Sequence, residues 1–306
     1  MKTVGVIGLG SIGMRHAKNL MAMGHNVVGF DPEVAAEDFP SFWKPWPQSR
    51  MGDLDAIVIA SPTSMHQSHV CDALNTTRNI LVEKPISDRW TENTDLLTLV
   101  TMVGYNLRYH SCVKKAKEWL GAGIIGKPIW ANFTLGQYND RPHYLCDGVI
   151  LNWSHELDLA LYLLGSANLA SSSTHITGNG QDDLTDILLM HENGCRSTVH
   201  LDYVTQPEHR YFTIVGTKSA IRVNIVNRFA DLVESNPKDP SEPILKEHFM
   251  GRDTWNDNYI EEIQEFLAIV DNPDAPSMHQ RIGCTGKEAL DVLKICLQVR
   301  EQAGLA

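Results

Sequence analysis

Three groups of residues have types and spacing suited to chemistry. The first is the turn Gly8-Leu9-Gly10-Ser11-Ile12-Gly13, with Asp31 downstream. In this pattern Gly8 permits a tight turn, Gly10 lets backbone approach a pyrophosphate, and Gly13 lets helix and strand pack closely. Unpaired N–H groups at the following helix start favour phosphate. Asp31 stands where a carboxylate accepts hydrogen bonds from both adenosine ribose hydroxyls. The same carboxylate repels a 2′-phosphate, and Pro32 follows it rather than Arg or Ser. The expected cofactor is therefore NAD, with NADP disfavoured. The second group is Lys84, between Glu83 and Pro85 and just past an apolar run. Open α/β sheets bind ligands at the C-terminal ends of such strands. A partly desolvated Lys beside a cationic nicotinamide exchanges protons nearer neutrality. The third is His155, with Asn152 three residues before it and Asp158 three after, expected to share one helical face. Histidine can take the proton released as an alcohol becomes a ketone. Each also has a plainer reading. A Lys before Pro is often a solvated edge residue, and a single His on an apolar helix is often a packed one.

The elements needed to position these residues are visible in the apolar pattern. Residues 2–8 read as a buried strand, 14–23 as a helix, and 26–30 as a second strand ending on Asp31. Further strands are expected at 55–60, 79–82 and around 102–105, with helices at 64–74 (Ser64 as N-cap) and 88–99. This alternation predicts an α/β Rossmann domain, a doubly wound parallel sheet, over residues 1–108. The segment 32–53, rich in aromatics and proline, reads as a packed loop or an aromatic wall beside adenine. From residue 109 the grammar changes. A helix at 111–120 and a long strand at 129–138 precede one strongly helical stretch, 147–164, stopped by Gly165. Strands at 187–190 and 195–203 flank Glu192-Asn193-Gly194, a hairpin signal. Others at 211–215 and 220–226 flank Gly216-Thr217-Lys218. Helices at 255–270 and 281–302 follow. Residues 109–306 are expected to form an α+β domain for substrate binding and oligomerisation, with a large, mainly antiparallel sheet.

Composition narrows the partners. The chain has 306 residues, 43% hydrophobic and 21% charged, with a net charge of −11. Its basic residues do not cluster, which argues against nucleic acid. No apolar run reaches membrane-spanning length, and the first strand starts at the N-terminus, so no membrane and a cytoplasmic setting are expected. Six scattered cysteines show no zinc-like spacing, and no metal is expected.

Several landmarks together resemble a known family over essentially the whole chain. They are the glycine turn, Ala60-Ser61-Pro62-Thr63 to His66, Glu83-Lys84-Pro85, and Gly104-Tyr105-Asn106-Leu107-Arg108-Tyr109-His110. They continue with Ile125-Gly126-Lys127-Pro128 and Asp147-Gly148 to Ser154-His155-Glu156-Leu157-Asp158. In this order and spacing the chain resembles the glucose–fructose oxidoreductase, inositol dehydrogenase and MocA family of NAD(P)-dependent sugar and cyclitol dehydrogenases. The stretch Gly136-Gln137-Tyr138, followed by 151–158, is similar to a branch associated with sialic-acid-like and surface sugars. In two places the chain departs from the family pattern. Asn152 stands where the family commonly has a carboxylate, and an amide orients a hydroxyl but cannot shuttle a proton. The segment between Lys84 and Tyr105 is also shortened.

The resemblance implies roles. Lys84 and His155 would be catalytic, passing the proton of a secondary alcohol while its hydride reaches nicotinamide. Gly8, Gly10, Ser11, Ile12, Gly13, Asp31, Ser61, Thr63, His66, Glu83 and Lys84 would line the cofactor. Asn106, Arg108, Tyr138, Arg141, His143, Asn152 and Trp153 would line the sugar or cyclitol. Arg141 or Arg108 could grip a carboxylate or phosphate bidentately, though an ion pair suits Arg108 equally and core packing suits Tyr138 and Trp153. A homodimer or homotetramer through the C-terminal sheet is expected. Redox-neutral, NAD-dependent glycoside cleavage and a non-catalytic NAD-binding sensor are the alternative functions.

Overall fold

The computed structural model describes residues 1–33, 53–138, 142–177, 180–239, 241–272 and 281–305, and in 142–146 only the backbone. The chain divides into two compact units: Met1–Asn106 with Trp255–Leu293, and Leu107–Thr254 with Lys294–Ala306. Most of the expected segment 32–53 lies outside the described residues.

The first unit is built on five parallel strands in the order β2-β1-β3-β4-β5. These are β1 (Thr3–Ile7), β2 (Asn26–Phe30), β3 (Ala56–Ile59), β4 (Ile80–Val82) and β5 (Met102–Val103). They are short, apolar and buried on both faces, as a helix-covered parallel sheet requires. The order reverses between β1 and β3, and open α/β sheets bind ligands at the C-terminal ends of strands at such a point. Helices α1 (Ser11–Ala22) and α2 (Thr63–Leu74) connect the strands. Helix α2 starts one residue earlier than expected, with Pro62 rather than Ser64 at its N-cap. The helix expected at 88–99 is reduced to a 3-10 turn, Thr94–Leu99. Its Thr side chains compete for backbone groups: Thr94 Oγ1 accepts from Thr91 N–H and Thr91 Oγ1 accepts from Asn93 N–H.

Helix α6 (Trp255–Asp271) packs into the first unit, where a contiguous division after residue 108 would assign it elsewhere. Ile263, Phe266 and Leu267 of α6 join Ala17 and Leu20 of α1 over Val4, Val6, Val58 and Leu81. Fully burying such side chains contributes about 1.5–3 kcal/mol each, enough to bind a distant helix to the sheet.

The second unit holds an eight-stranded sheet in the order β13-β12-β11-β10-β6-β9-β8-β7. Its strands are β6 (Pro128–Gly136), β7 (Ala167–Ile176), β8 (Asp182–His191), β9 (Arg196–Asp202), β10 (His209–Gly216), β11 (Ala220–Asn224), β12 (Phe229–Glu234) and β13 (Ile244–Met250). All pairings are antiparallel except β6 with β9. Helix α3 (Ser111–Gly121) lies against β11–β13, while α4 (Pro142–Asn152) and α5 (His155–Leu164) lie against β6, β8 and β9. Helix α7 (Gly286–Gln302) starts in the first unit and ends in the second.

The single helix expected at 147–164 is two. Gly148 takes φ 73° inside α4, and Trp153-Ser154 forms a turn before α5. Asn152 and His155 therefore do not share a helical face. A Cβ at Gly148 would lie 2.0 Å from Asp182 Oδ1, so both the left-handed backbone and the close approach require glycine there.

Candidate active site

The glycine turn carries its three glycines for three separable reasons. Gly8 sits at φ 82°, where a Cβ would meet Ala60 backbone at 2.6 Å. At Gly13 a Cβ would lie 1.8 Å from Gly8 O, so α1 can start this close to β1 only without a side chain. Gly10 is different: its Cβ would meet nothing within 4 Å. The protein itself does not forbid a side chain there, and the open space is what an approaching pyrophosphate needs. Helix α1 has no side-chain cap and no acidic residue in its first turn, leaving its N-terminus suited to anions. Ser11 is exposed and Ile12 half-buried on that turn. Asp31 follows β2, and its Oδ2 accepts Leu9 N–H at 2.7 Å while Oδ1 accepts Glu33 N–H at 2.8 Å. Thus the acid is tied to the turn it serves. These residues fit a dinucleotide: the turn, helix and Asp31 would hold its pyrophosphate and adenosine ribose.

Lys84 is half-buried immediately after β4. Backbone bonds from Glu83 N–H to Ile59 O and from Gly104 N–H to Val82 O, both 2.8 Å, fix the end of the strand. The Lys84–Pro85 peptide is cis. Glu83 Oε2 accepts Lys84 N–H at 3.2 Å. His66 is buried, with Nδ1 2.8 Å from Pro85 O and Nε2 2.8 Å from Ser61 O. Burial lowers its pKa, more than the two carbonyls and Glu83 raise it; Lys84 also lowers it. A neutral ring carries one N–H, so it donates to one of the two carbonyls. His66 thus sits between the Ser61 turn and the Lys84 loop, with a ring nitrogen against each. Ser61 Oγ contacts His69 Nδ1 at 2.9 Å, and half-buried Thr63 opens α2.

In the second unit, His155 is the first residue of α5 and half-buried. Two carboxylates in that helical turn anchor it. Glu156 receives a forked pair from Arg210 (Nε 2.5 Å, Nη2 2.9 Å), and Asp158 receives Arg108 (Nη2 2.6 Å). The acids also suit the positive end of the helix. Arg108 is 2% exposed and lies over the Tyr162 ring at 4.5 Å, with its guanidinium paired to Asp158. Asn152 Nδ2 donates to Tyr203 Oη at 2.8 Å, and Tyr203 Oη donates to Gly148 O at 3.1 Å. Trp153 is buried edge-on against Tyr203, centroids 4.4 Å apart. Tyr138 is 53% exposed beyond β6. Asn106, in the first unit, is buried and hydrogen-bonded to Tyr259. Arg141 and the side chain of His143 lie outside the described residues.

Sequence reasoning missed Tyr203, Asp182, His16, Tyr259 and Glu262. The last gives a signal in retrospect, because it interrupts the buried apolar stripe of α6 with a carboxylate. Among the described residues, His16, Glu83 and Glu262 form a group with metal-ligand capability, their candidate atoms all within 4.8 Å. His16 Nε2 and Glu83 Oε1 are hydrogen-bonded at 2.7 Å.

Residues 2–109 match the family model described as oxidoreductase family, NAD-binding Rossmann fold, and residues 113–222 match the GFO/IDH/MocA C-terminal domain. The chain belongs to the GFO/IDH/MocA oxidoreductase family. Its first unit is that family's NAD-binding Rossmann fold, and the protein is an oxidoreductase. Within the family, scyllo-inositol 2-dehydrogenase (NAD(+)) of Bacillus subtilis strain 168 is 28% identical, covering 89% of this chain and 86% of its own. The fold matches levoglucosan dehydrogenase in complex with NADH (TM-score 0.85, 18% identity, 99% and 97% covered). It also matches UDP-N-acetylglucosamine 3-dehydrogenase from Acidithiobacillus ferrooxidans (TM-score 0.80, 23% identity, 100% and 99% covered).

Proposed function

We propose that this GFO/IDH/MocA protein oxidises a secondary alcohol of a sugar or cyclitol, or reduces the corresponding ketone, with Lys84 and His155 handling the proton. The observation that carries the reading is Lys84 itself, half-buried at the C-terminal end of β4 in an NAD-binding unit, with its backbone held by Glu83 and its loop by His66. Bound NAD supplies the hydride acceptor. The substrate O–H proton passes to His155 or Lys84 as the carbinol C–H bond breaks, leaving the ketone. Asp31 favours NAD over NADP. Asn152 orients a hydroxyl, and the proton work falls to the other two residues.

Self-association through the outer face of the eight-stranded sheet is part of the same reading. Trp130 and Tyr211 stand on adjacent strands of the second unit, 41% and 38% exposed, where a second copy would cover them. Among the described residues, no helix is long and apolar enough to cross a membrane.

The test is NADH formation from NAD over a panel of inositols and of free, phosphorylated, nucleotide-linked and carboxylated sugars. Net NADH with one class supports a dehydrogenase and names its substrate. Product without net NADH would instead indicate the redox-neutral reaction, and binding of NAD with no product at all would indicate a sensor.

A further inference from the structure

A buried polar cluster lies behind Lys84 within the first unit. His16 of α1 is fully buried, and its Nε2 meets Glu83 Oε1 at 2.7 Å. Glu262 of α6 is also fully buried, and its carboxylate comes within 4.8 Å of both. Gly104 makes room, since a Cβ there would lie 2.9 Å from the Glu83 carboxylate. Tyr259 sets its ring edge-on to His16 at 5.6 Å, with the Arg15 guanidinium 5.0 Å from its centroid. The titratable and charged groups around Glu83 are thus Arg15 and His16 from α1, His66 from α2, Lys84 next in chain, and Tyr259 and Glu262 from α6. The Tyr259 phenol is pushed up by burial, then by the charges of Glu83 and Glu262.

Packing alone does not call for this arrangement. Burying carboxylates carries a desolvation cost that apolar residues of similar volume avoid. What Glu83 reaches is the backbone of residue 84, because it meets His16 through one oxygen and accepts Lys84 N–H through the other.

We propose that His16, Glu83 and Glu262 are positioning residues for Lys84: Glu83 fixes its backbone, and His16 and Glu262 back the Glu83 carboxylate. This rests on the reading of Lys84 as catalytic. The contribution of α6 explains why a segment far along the chain closes the nucleotide-binding unit.

The experiment compares E83Q, E262Q and K84M with the wild-type chain by steady-state kinetics on the panel's active alcohol and by thermal unfolding. Loss of positioning is expected to lower kcat about 10- to 100-fold in both Gln variants, with KM for NAD within about threefold of wild type. The proposal is overturned if both Gln variants keep kcat within twofold of wild type. It is also overturned if kcat falls only as the folded fraction falls. Should E83Q fail to fold, E262Q decides by the same criteria. Wild-type turnover in K84M would overturn the catalytic reading of Lys84 and the proposal with it. An inactive K84M beside active Gln variants would overturn the positioning alone.

Discussion

Gly13 lies so close to Gly8 that a Cβ on Gly13 would stand 1.8 Å from Gly8 O, whereas a Cβ on Gly10, between them, would touch nothing within 4 Å. The protein itself requires glycine at 13; at 10 it leaves open space, which the proposed pyrophosphate would use.

That contrast separates two substitutions that look alike in sequence. Gly10→Ala should fold with a melting temperature within a few degrees of wild type, yet bind NAD at least about tenfold more weakly, roughly 1.4 kcal/mol. Gly13→Ala should destabilise the protein by more than about 1–3 kcal/mol, as overpacking does. Thermal unfolding with NAD titration by fluorescence checks both, and equal effects in the two variants would contradict the geometry.

Asp31 should govern cofactor choice. Asp31→Ser removes the charge that repels a 2′-phosphate and also the carboxylate held by Leu9 N–H. NAD affinity should fall and the NADP-to-NAD preference rise by about tenfold or more, since charged hydrogen bonds contribute about 1.5–3 kcal/mol. Parallel Kd measurements for the two cofactors read this directly.

Tyr203 should matter through Asn152. Tyr203→Phe removes the acceptor for Asn152 and the donor to Gly148 O. A stability loss of about 0.5–1.5 kcal/mol per hydrogen bond is expected. If Asn152 orients substrate, KM for the alcohol should rise more than kcat falls, while KM for NAD stays constant.

Acid should weaken the second unit through His110. Burial pushes its imidazole down to about 4 from the ordinary 6.5, with Asp253 opposing and Arg210 and Arg228 reinforcing. Between those values the unfolded chain binds the proton and the folded chain does not, so stability rises with pH. The contribution is complete above 6.5 and is lost as pH falls toward 4, by up to about 1.4 kcal/mol per unit. His110 Nδ1 also accepts Cys112 N–H at the start of α3. His110→Asn keeps a capping side chain without the titration, and it should flatten urea-unfolding stability across that window.

Much of the first unit was legible because its signals are local. The run from β1 through the glycine turn to Asp31 needs only strand pattern, turn chemistry and the helix start. The break at Gly148 was not legible, because it answers to Asp182, a partner distant in sequence on β8. Nor was the loss of the helix before residue 94, where the side chains of Ser87, Thr91 and Thr94 take over backbone hydrogen bonds. Edge strands β7 and β13 were hidden because both are largely exposed and neither alternates buried apolar with exposed polar residues. At the candidate site, Lys84 and His155 stood out by motif, but His16 and Glu83 meet across 67 residues, beyond any local pattern. The pairing of Arg108 with Asp158, 50 residues along the chain, was equally beyond local pattern.

The central claim is that Lys84 and His155 move the proton while NAD takes the hydride. Its most direct test is single-turnover NADH formation by K84M and H155A on the panel's active alcohol, with NAD Kd measured alongside. The account predicts rates about 10²- to 10⁴-fold below wild type in each variant, with NAD affinity nearly intact. Wild-type rates in both variants would contradict it.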